Sequence, residues 1–429
     1  MSESRIKELD QLPGTSGPGS VTSDMKQVAG PEVYFRKGFG LKSEVQGELE
    51  TDYNGRLVDL LRERDFCLQA GDTTVRLAKE FGFCYGVERA VDYAYQARRK
   101  FPDRKIFLAG EIIHNPHVNS RLREMKVEIL PNGPAGIDYS PVTPADVVIL
   151  PAFGVTILDF QKLREIGCVM VDTTCGSVLN VWKRVEGYAR DGFTSLVHGK
   201  HYHEETKATA SQAAKYPGAH YFVVRDMSEA MVVCDFIERR ISGEELMSKF
   251  AHAVSPGFQP ERDLKRIGVA NQTTMLARES LAIGAEIGNA MARAHGEEYA
   301  KANFRTFDTI CSATQERQDA VIELLQEPLD VMIVVGGYNS SNTISLAALA
   351  RDKVRTYHVD DASAIDVEGR TIRHRPPGTK EDVIESGWLT TEGPVRIGLT
   401  AGASTPNNKI GETVARIFAS RGIGIDSIV

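Results

Sequence analysis

The feature that most constrains this 429-residue chain is a local pattern that occurs three times. GFCYGVERAVDYAYQ begins at Gly82, DTTCGSVLNVWKRVEGYA at Asp172 and DTICSATQERQDAVIELL at Asp308. Each time a cysteine (Cys84, Cys175, Cys311) is followed by one or two small or turn-compatible residues and then by apolar positions at helical spacing. Each cysteine therefore marks the point where a strand or loop hands over to the start of a helix. What comes next also repeats: KIFLAGEIIHN, TSLVHGKHYHEE and VMIVVGGYNSSN are strands that run into glycine and a polar cluster. Gly110 follows Cys84 by 26 residues, Gly199 follows Cys175 by 24 and Gly336 follows Cys311 by 25. Self-similarity at a near-constant offset outranks local propensity as a fold signal. The chain reads as three related α/β units whose cysteines meet at one centre.

The regular pattern starts near Thr74, so the units are expected at 76–174, 175–308 and 309–429, behind an N-terminal extension of residues 1–75. The first thirty residues are rich in Gly, Ser and Pro without periodicity, and they mix acids (Glu3, Glu8, Asp10, Asp24) with bases (Arg5, Lys7, Lys26). That composition suits neither a secretory signal nor an Arg-rich transit peptide and predicts a disordered tail. A helix is expected from Gly55 to Arg64 and a surface loop over 369–381. Fully apolar runs such as VVIL and VMIVV predict buried parallel strands. Each unit then presents two polar turns at strand ends. The first set is 110–115, 199–206 and 337–342, and the second is 152–155, 271–274 and 401–405. Ligands of open parallel sheets bind outside the carboxyl ends of the strands, so these turns should share one cavity.

Bulk properties narrow the function. A net charge of −7 argues against a nucleic-acid binder, and no apolar run reaches the ~18 residues of a membrane span. Six cysteines without tight pairs do not form a secreted disulfide framework, which favours a reducing cytoplasm. Three thiolates from distant positions lack the short spacings of structural zinc or ferredoxin-type clusters. One cysteine per unit would instead hold a cubane cluster with one iron free of protein ligand, able to act as a Lewis acid and to pass electrons. Helix N-termini beside the cysteines should favour the thiolate. Cys67, Cys168 and Cys234, in apolar surroundings without the following turn, read as ordinary thiols. At the polar turns, His114, His203, Thr273, Ser340, Ser341, Asn342 and Ser404 offer donors that suit a phosphate. Nothing resembles a Walker A loop. Glu205 is the best acid–base candidate, with its neighbour Glu204 expected to point elsewhere. A reductase, a non-redox dehydratase using the open iron as a Lewis acid, an iron–sulfur regulator and a zinc-bound structural protein all remain open on these residues.

GFCYGVERAV, GEIIHN, DTTC, HEET, NQTT, TICSATQERQ, NSSN and TAGAST together span about residues 76–420. On these motifs the chain resembles the 4-hydroxy-3-methylbut-2-enyl diphosphate reductase family. The resemblance implies a trefoil-like α/β fold of three pseudo-repeated domains around a [4Fe–4S] cluster with an open apical iron, held by Cys84, Cys175 and Cys311. It implies that His114, His203, Ser340, Ser341, Asn342 and Ser404 hold the diphosphate, that Thr273 orients substrate and water, and that Glu205 delivers protons to the allylic hydroxyl. It also implies two electrons from ferredoxin or flavodoxin, and isopentenyl and dimethylallyl diphosphate as products. In many bacterial members the turn occupied here by Pro151–Val155 carries a histidine; Phe153 stands there instead and cannot bond a phosphate. The PAFG and HEET forms look more like the plant and cyanobacterial branch.

Overall fold

The computed structural model describes residues 33–133, 136–307, 309–376 and 378–428. The expected disordered tail lies outside these residues. Three separate sheets form the frame. The first runs Tyr34–Phe35, Val169–Asp172, Val147–Leu150, Ile106–Leu108, Val127–Ile129, all parallel. The second runs Tyr221–Val224, Thr194–His198, Ile267–Asn271, Phe304–Thr306, again parallel. The third runs Thr356–Val359, Val331–Val335, Val395–Ala401, Thr73–Leu77 in parallel and ends on the antiparallel strand Cys67–Ala70. Every residue of Val147–Leu150, Ile267–Asn271 and Val331–Val335 is buried, as central parallel strands covered on both faces must be.

The helices after the cysteines cover these sheets. Cys84 is the extended N-cap of the helix Tyr85–Lys100. Val87, Ala90, Val91 and Ala94 of that helix, at i, i+3, i+4 and i+7, pack on Ile106, Val147 and Ile149 of the first sheet. Arg98, Arg99 and Lys100 in its last turn complement the helix dipole. Cys175 caps Gly176–Arg190, whose Val185 and Tyr188 pack with Ala270 of the second sheet. Cys311 caps Ser312–Leu324, which packs through Val321 and Leu324 on Met332 and Val334 of the third.

The hand-over is cyclic. The strand ahead of Cys175, Val169–Asp172, lies in the first sheet, and the strand ahead of Cys311, Phe304–Thr306, lies in the second. By the same rule the strand ahead of Cys84 lies in the third: Thr73–Leu77 pairs in parallel with Val395–Ala401. The expected start of the first unit at residue 76 falls inside that strand. Its partner is more than 300 residues away, so no local signal could assign its sheet. The rest of the extension is likewise shared out. Tyr34–Phe35 adds an edge to the first sheet. The helix Lys42–Tyr53, unforeseen from sequence, buries Val45 and Tyr53 in the first core. The helix Arg56–Glu63, at the expected place, buries Leu57, Val58 and Leu61 in the third. The expected surface loop at 369–381 instead contains the strand Thr371–His374, central in a small antiparallel sheet between Ile365–Asp366 and Val383–Ser386. Ile372 is fully buried there, and the flanking charges masked its alternation.

Candidate active site

The three cysteines occupy equivalent positions. Each backbone N–H donates to a carbonyl in the second-set turn of the preceding sheet: Cys84 to Ala403 (3.2 Å), Cys175 to Ala152 (2.8 Å) and Cys311 to Thr273 (3.5 Å). All three are free thiols. A methyl group placed on Gly86 would lie 2.5 Å from the Cys175 Sγ and 3.9 Å from the Cys84 Sγ, so these sulfurs are neighbours and only glycine fits beside them. Cys175 and Cys311 both act on the Cys84 thiol, and Cys311 acts on the Cys175 thiol, each raising its pKa. The helix amides at Val87 and Ser177 pull the two thiols down, as expected of helix N-termini, but burial is larger and leaves both above the ordinary value. For Cys84 and Cys175 the expected thiolate character is thus reversed: burial beside like groups favours the neutral thiol until a cation joins them.

The polar turns of all three sheets interlock. His114 donates from Nδ1 to Glu111 (3.0 Å), which leaves Nε2 without a hydrogen-bond partner. Its carbonyl accepts from Ser404 Oγ (3.3 Å), and a methyl on Gly337 would meet that same carbonyl at 2.4 Å, so the third unit's turn lies directly against the first's. His203 caps the helix Glu204–Ser211 by accepting the Glu205 amide at Nδ1, so in its neutral form it presents an N–H at Nε2. Burial, helped by His114 and two lysines, holds His203 well below the usual imidazole range. The two rings meet edge to face at 5.0 Å. Phe153 stacks on His114 at 4.9 Å.

Asn342 accepts the Ala403 amide at Oδ1 (2.9 Å), which orients its unpartnered Nδ2. Ser340 caps the helix Ser341–Arg351. Ser341 Oγ accepts from Gln272 Nε2 (3.1 Å) and Lys200 Nζ (3.2 Å). Glu205 is 3% exposed and accepts the Thr273 amide at 2.6 Å. Burial raises its carboxyl above the usual range, partly offset by Thr273 and His114. Every expected anion-binding residue is thus bonded to, or in ring contact with, a turn of this junction. Cys168 and Cys234 are buried core residues, and Cys67 lies in the edge strand Cys67–Ala70.

Glu204 departs from expectation: its carboxylate lies 3.6 Å from His114 Nε2 rather than pointing elsewhere. His114, His203 and Glu204 hold ligand atoms within 4.8 Å of one another, a spacing that would also admit a cation. However, His203 Nδ1 is already committed to the cap, and the surrounding groups are donors suited to an anion. Sequence reasoning missed Lys200, Gln272, Arg89 and Arg317. Arg317, 3% exposed, donates to the carbonyls of Gly82 and Phe83 just ahead of Cys84. Arg89 donates to those of Thr173 and Thr174 just ahead of Cys175. The available signal was an arginine five or six residues past a repeated cysteine.

Three α/β lobes, each passing a cysteine to the next and each turning polar strand ends toward that junction, define a class of proteins organised around one shared thiol centre. Residues 75–418 match the family model described as LytB protein, and the chain belongs to that family. It is 47% identical over 393 residues to the 4-hydroxy-3-methylbut-2-enyl diphosphate reductase of Thermosynechococcus vestitus, covering 91% of this chain and 96% of that protein. It is 46% identical over 396 residues to the protein of the same name from Gloeobacter violaceus, covering 91% and 93%. Among solved structures, the E-1-hydroxy-2-methyl-but-2-enyl-4-diphosphate reductase from Plasmodium falciparum aligns over 80% of this chain and 87% of that one, with TM-score 0.59 at 20% identity, a likeness of fold. Among the described residues no helix is long and apolar enough to cross a membrane.

Proposed function

We propose that this chain is a 4-hydroxy-3-methylbut-2-enyl diphosphate reductase. It removes the allylic hydroxyl of its substrate as water, consuming two electrons and two protons, and yields isopentenyl and dimethylallyl diphosphate. The observation that carries this reading is the meeting of three equivalent free cysteines with polar turns from all three sheets. We also propose that the cysteines hold a [4Fe–4S] cluster, and the residues present fit one. Three thiols act on one another, no fourth cysteine joins them among the described residues, and Gly86 leaves the space that a side chain would fill. When bound, such a cluster supplies electrons one at a time and an open iron for the substrate oxygen.

The chain's own residues bind, orient and protonate. His203 Nε2–H, Asn342 Nδ2–H, the Ser340 and Ser341 hydroxyls and His114 Nε2, when protonated, supply donors to the diphosphate, and Ser404 joins them once its O–H turns from the His114 carbonyl. Two of these are already aimed, Asn342 by the Ala403 amide and His203 by its cap. Glu205, whose proton burial holds more tightly than in a free carboxyl, delivers that proton to the departing hydroxyl, and the Thr273 amide holds the carboxyl in place. Phe153, buried and stacked on His114, helps the packed turns keep water from that side of the junction. A ferredoxin or flavodoxin is the proposed electron donor and the cytoplasm the proposed location. Anaerobic turnover of the allylic diphosphate with a chemical reductant tests the reading: two reducing equivalents per product are expected. Product formation without reductant consumption would replace it with a dehydratase.

A further inference from the structure

A diphosphate brings about two to three negative charges into a buried site, and burying charge without a counter-charge is costly. Most of the donors above are neutral. His203 is held neutral, the serines and Asn342 carry no charge, and Phe153 offers no proton. Glu111 and Glu204 add negative charge on the His114 side. The anion therefore needs a cation from elsewhere in the junction.

Lys200 stands at the required place. It follows Gly199 at the end of the strand Thr194–His198, and its backbone N–H is fixed by Gln272 Oε1 at 3.2 Å. Its Nζ crosses from the second unit to the third and donates to Ser341 Oγ at 3.2 Å. Among the described residues, it is the one Lys or Arg side chain hydrogen-bonded to a member of the anion-binding set, and no carboxylate lies within ion-pair distance of it. A half-buried ammonium without a counter-ion is unusual for a structural lysine, because burial alone lowers its pKa with nothing to offset it. Ser341 supplies the second observation. Its oxygen has two lone pairs, and Lys200 and Gln272 occupy both. What remains is its O–H, which must donate to something else.

We infer that Lys200 is a diphosphate-binding residue, neutralising the anion with its ammonium and committing Ser341 to donate its hydroxyl proton to the same phosphate. The inference rests on the reductase reading and extends it to a residue outside the set carried over from the family motifs. The other two N–H bonds of Lys200 are available to phosphate oxygens, and the cation that Phe153 cannot provide arrives from the adjacent turn.

The test uses the cluster-loaded protein and inorganic pyrophosphate as a competitive probe. A charge-assisted hydrogen bond is worth about 1.5–3 kcal/mol, or roughly 10- to 100-fold in affinity. K200M is expected to raise KM and the pyrophosphate inhibition constant by about that factor, with kcat falling less than KM rises. K200R should recover most of the loss, which a purely packing role would not predict. Wild-type turnover with K200M within about threefold of wild type in both constants overturns the inference and leaves the reductase reading standing. Absence of both turnover and pyrophosphate binding in wild type removes both. Should K200M lose its iron, acetylation of the wild-type protein decides. Pyrophosphate must then shield Lys200 while the exposed Lys207 stays reactive, and equal labelling of Lys200 with and without pyrophosphate overturns the inference.

Discussion

Glu205 gives the sharpest test, because activity and stability should move in opposite directions. E205Q preserves side-chain volume and keeps an oxygen facing the Thr273 amide, which the native carboxylate engages at 2.6 Å. What it removes is the transferable proton. A positioned general acid contributes about 10²- to 10⁴-fold, so turnover should fall by that factor while iron and sulfide content stay at wild-type levels. The stability effect follows from burial. The carboxyl lies above its usual range in the fold because desolvation outweighs the Thr273 bonds and the attraction of His114. A raised carboxyl means that the native state holds the proton more tightly than the unfolded chain. Its contribution to stability is then complete below the unfolded pKa and disappears as pH rises through the folded one.

Glutamine has no such dependence. E205Q should therefore match wild type at acid pH and gain on it as pH rises above the ordinary glutamate range, by about 1.4 kcal/mol for each unit separating the two pKa values. Anaerobic thermal melts of both proteins at matched protein concentration, from about pH 5 to pH 8, read this difference directly. Wild-type turnover in E205Q would remove Glu205 from the acid role. A variant less stable than wild type at every pH would show the carboxylate to be a structural brace, and the proton would have to come from elsewhere.

Two further sets of substitutions probe the thiol centre. C84S, C175S and C311S should each lose iron and turnover, whereas C67S, in an edge strand, should lose neither; full iron and activity in the three site variants would end the cluster proposal. G86A would normally gain about 0.4–1 kcal/mol by restricting the unfolded chain, but here the added methyl stands 2.5 Å from the Cys175 sulfur. It should lower iron and sulfide per chain without unfolding the protein, and wild-type loading would show that the sulfurs have more room than this contact implies.

The parts of the site legible in sequence were those whose chemistry is local. A cysteine before a helix, or a Ser-Ser-Asn turn after an apolar strand, carries its signal within a few residues, and the threefold repeat multiplied it. The rest depended on partners distant in the chain. Thr73–Leu77 looks like any strand, and only its pairing with Val395–Ala401 assigns it to the third sheet. Lys200 reads as a solvated loop lysine until Ser341, 141 residues on, is found at its ammonium. Arg317 reads as a helix-surface residue until the carbonyls ahead of Cys84 close over it. The thiol pKa direction failed for the same reason: the helix terminus is visible in sequence, whereas the burial that outweighs it is not.

The cyclic hand-over explains why the centre needs the whole chain. Each cysteine is held on one side by the helix it caps and on the other by a carbonyl from the preceding sheet's second turn. A single unit therefore supplies only half of the support for any thiol. For Cys175 and Cys311 the preceding sheet comes earlier in the chain. For Cys84 it comes last, since Ala403 belongs to the turn after Val395–Ala401. The strand Thr73–Leu77 resolves this by joining that same sheet, so the segment entering Cys84 and the turn that holds it share one rigid support. Arg317 reinforces the closure from the third unit's own helix. The hairpin 67–77 is thus the piece that closes the ring, pairing the strand that enters Cys84 with the sheet whose last turn holds that cysteine.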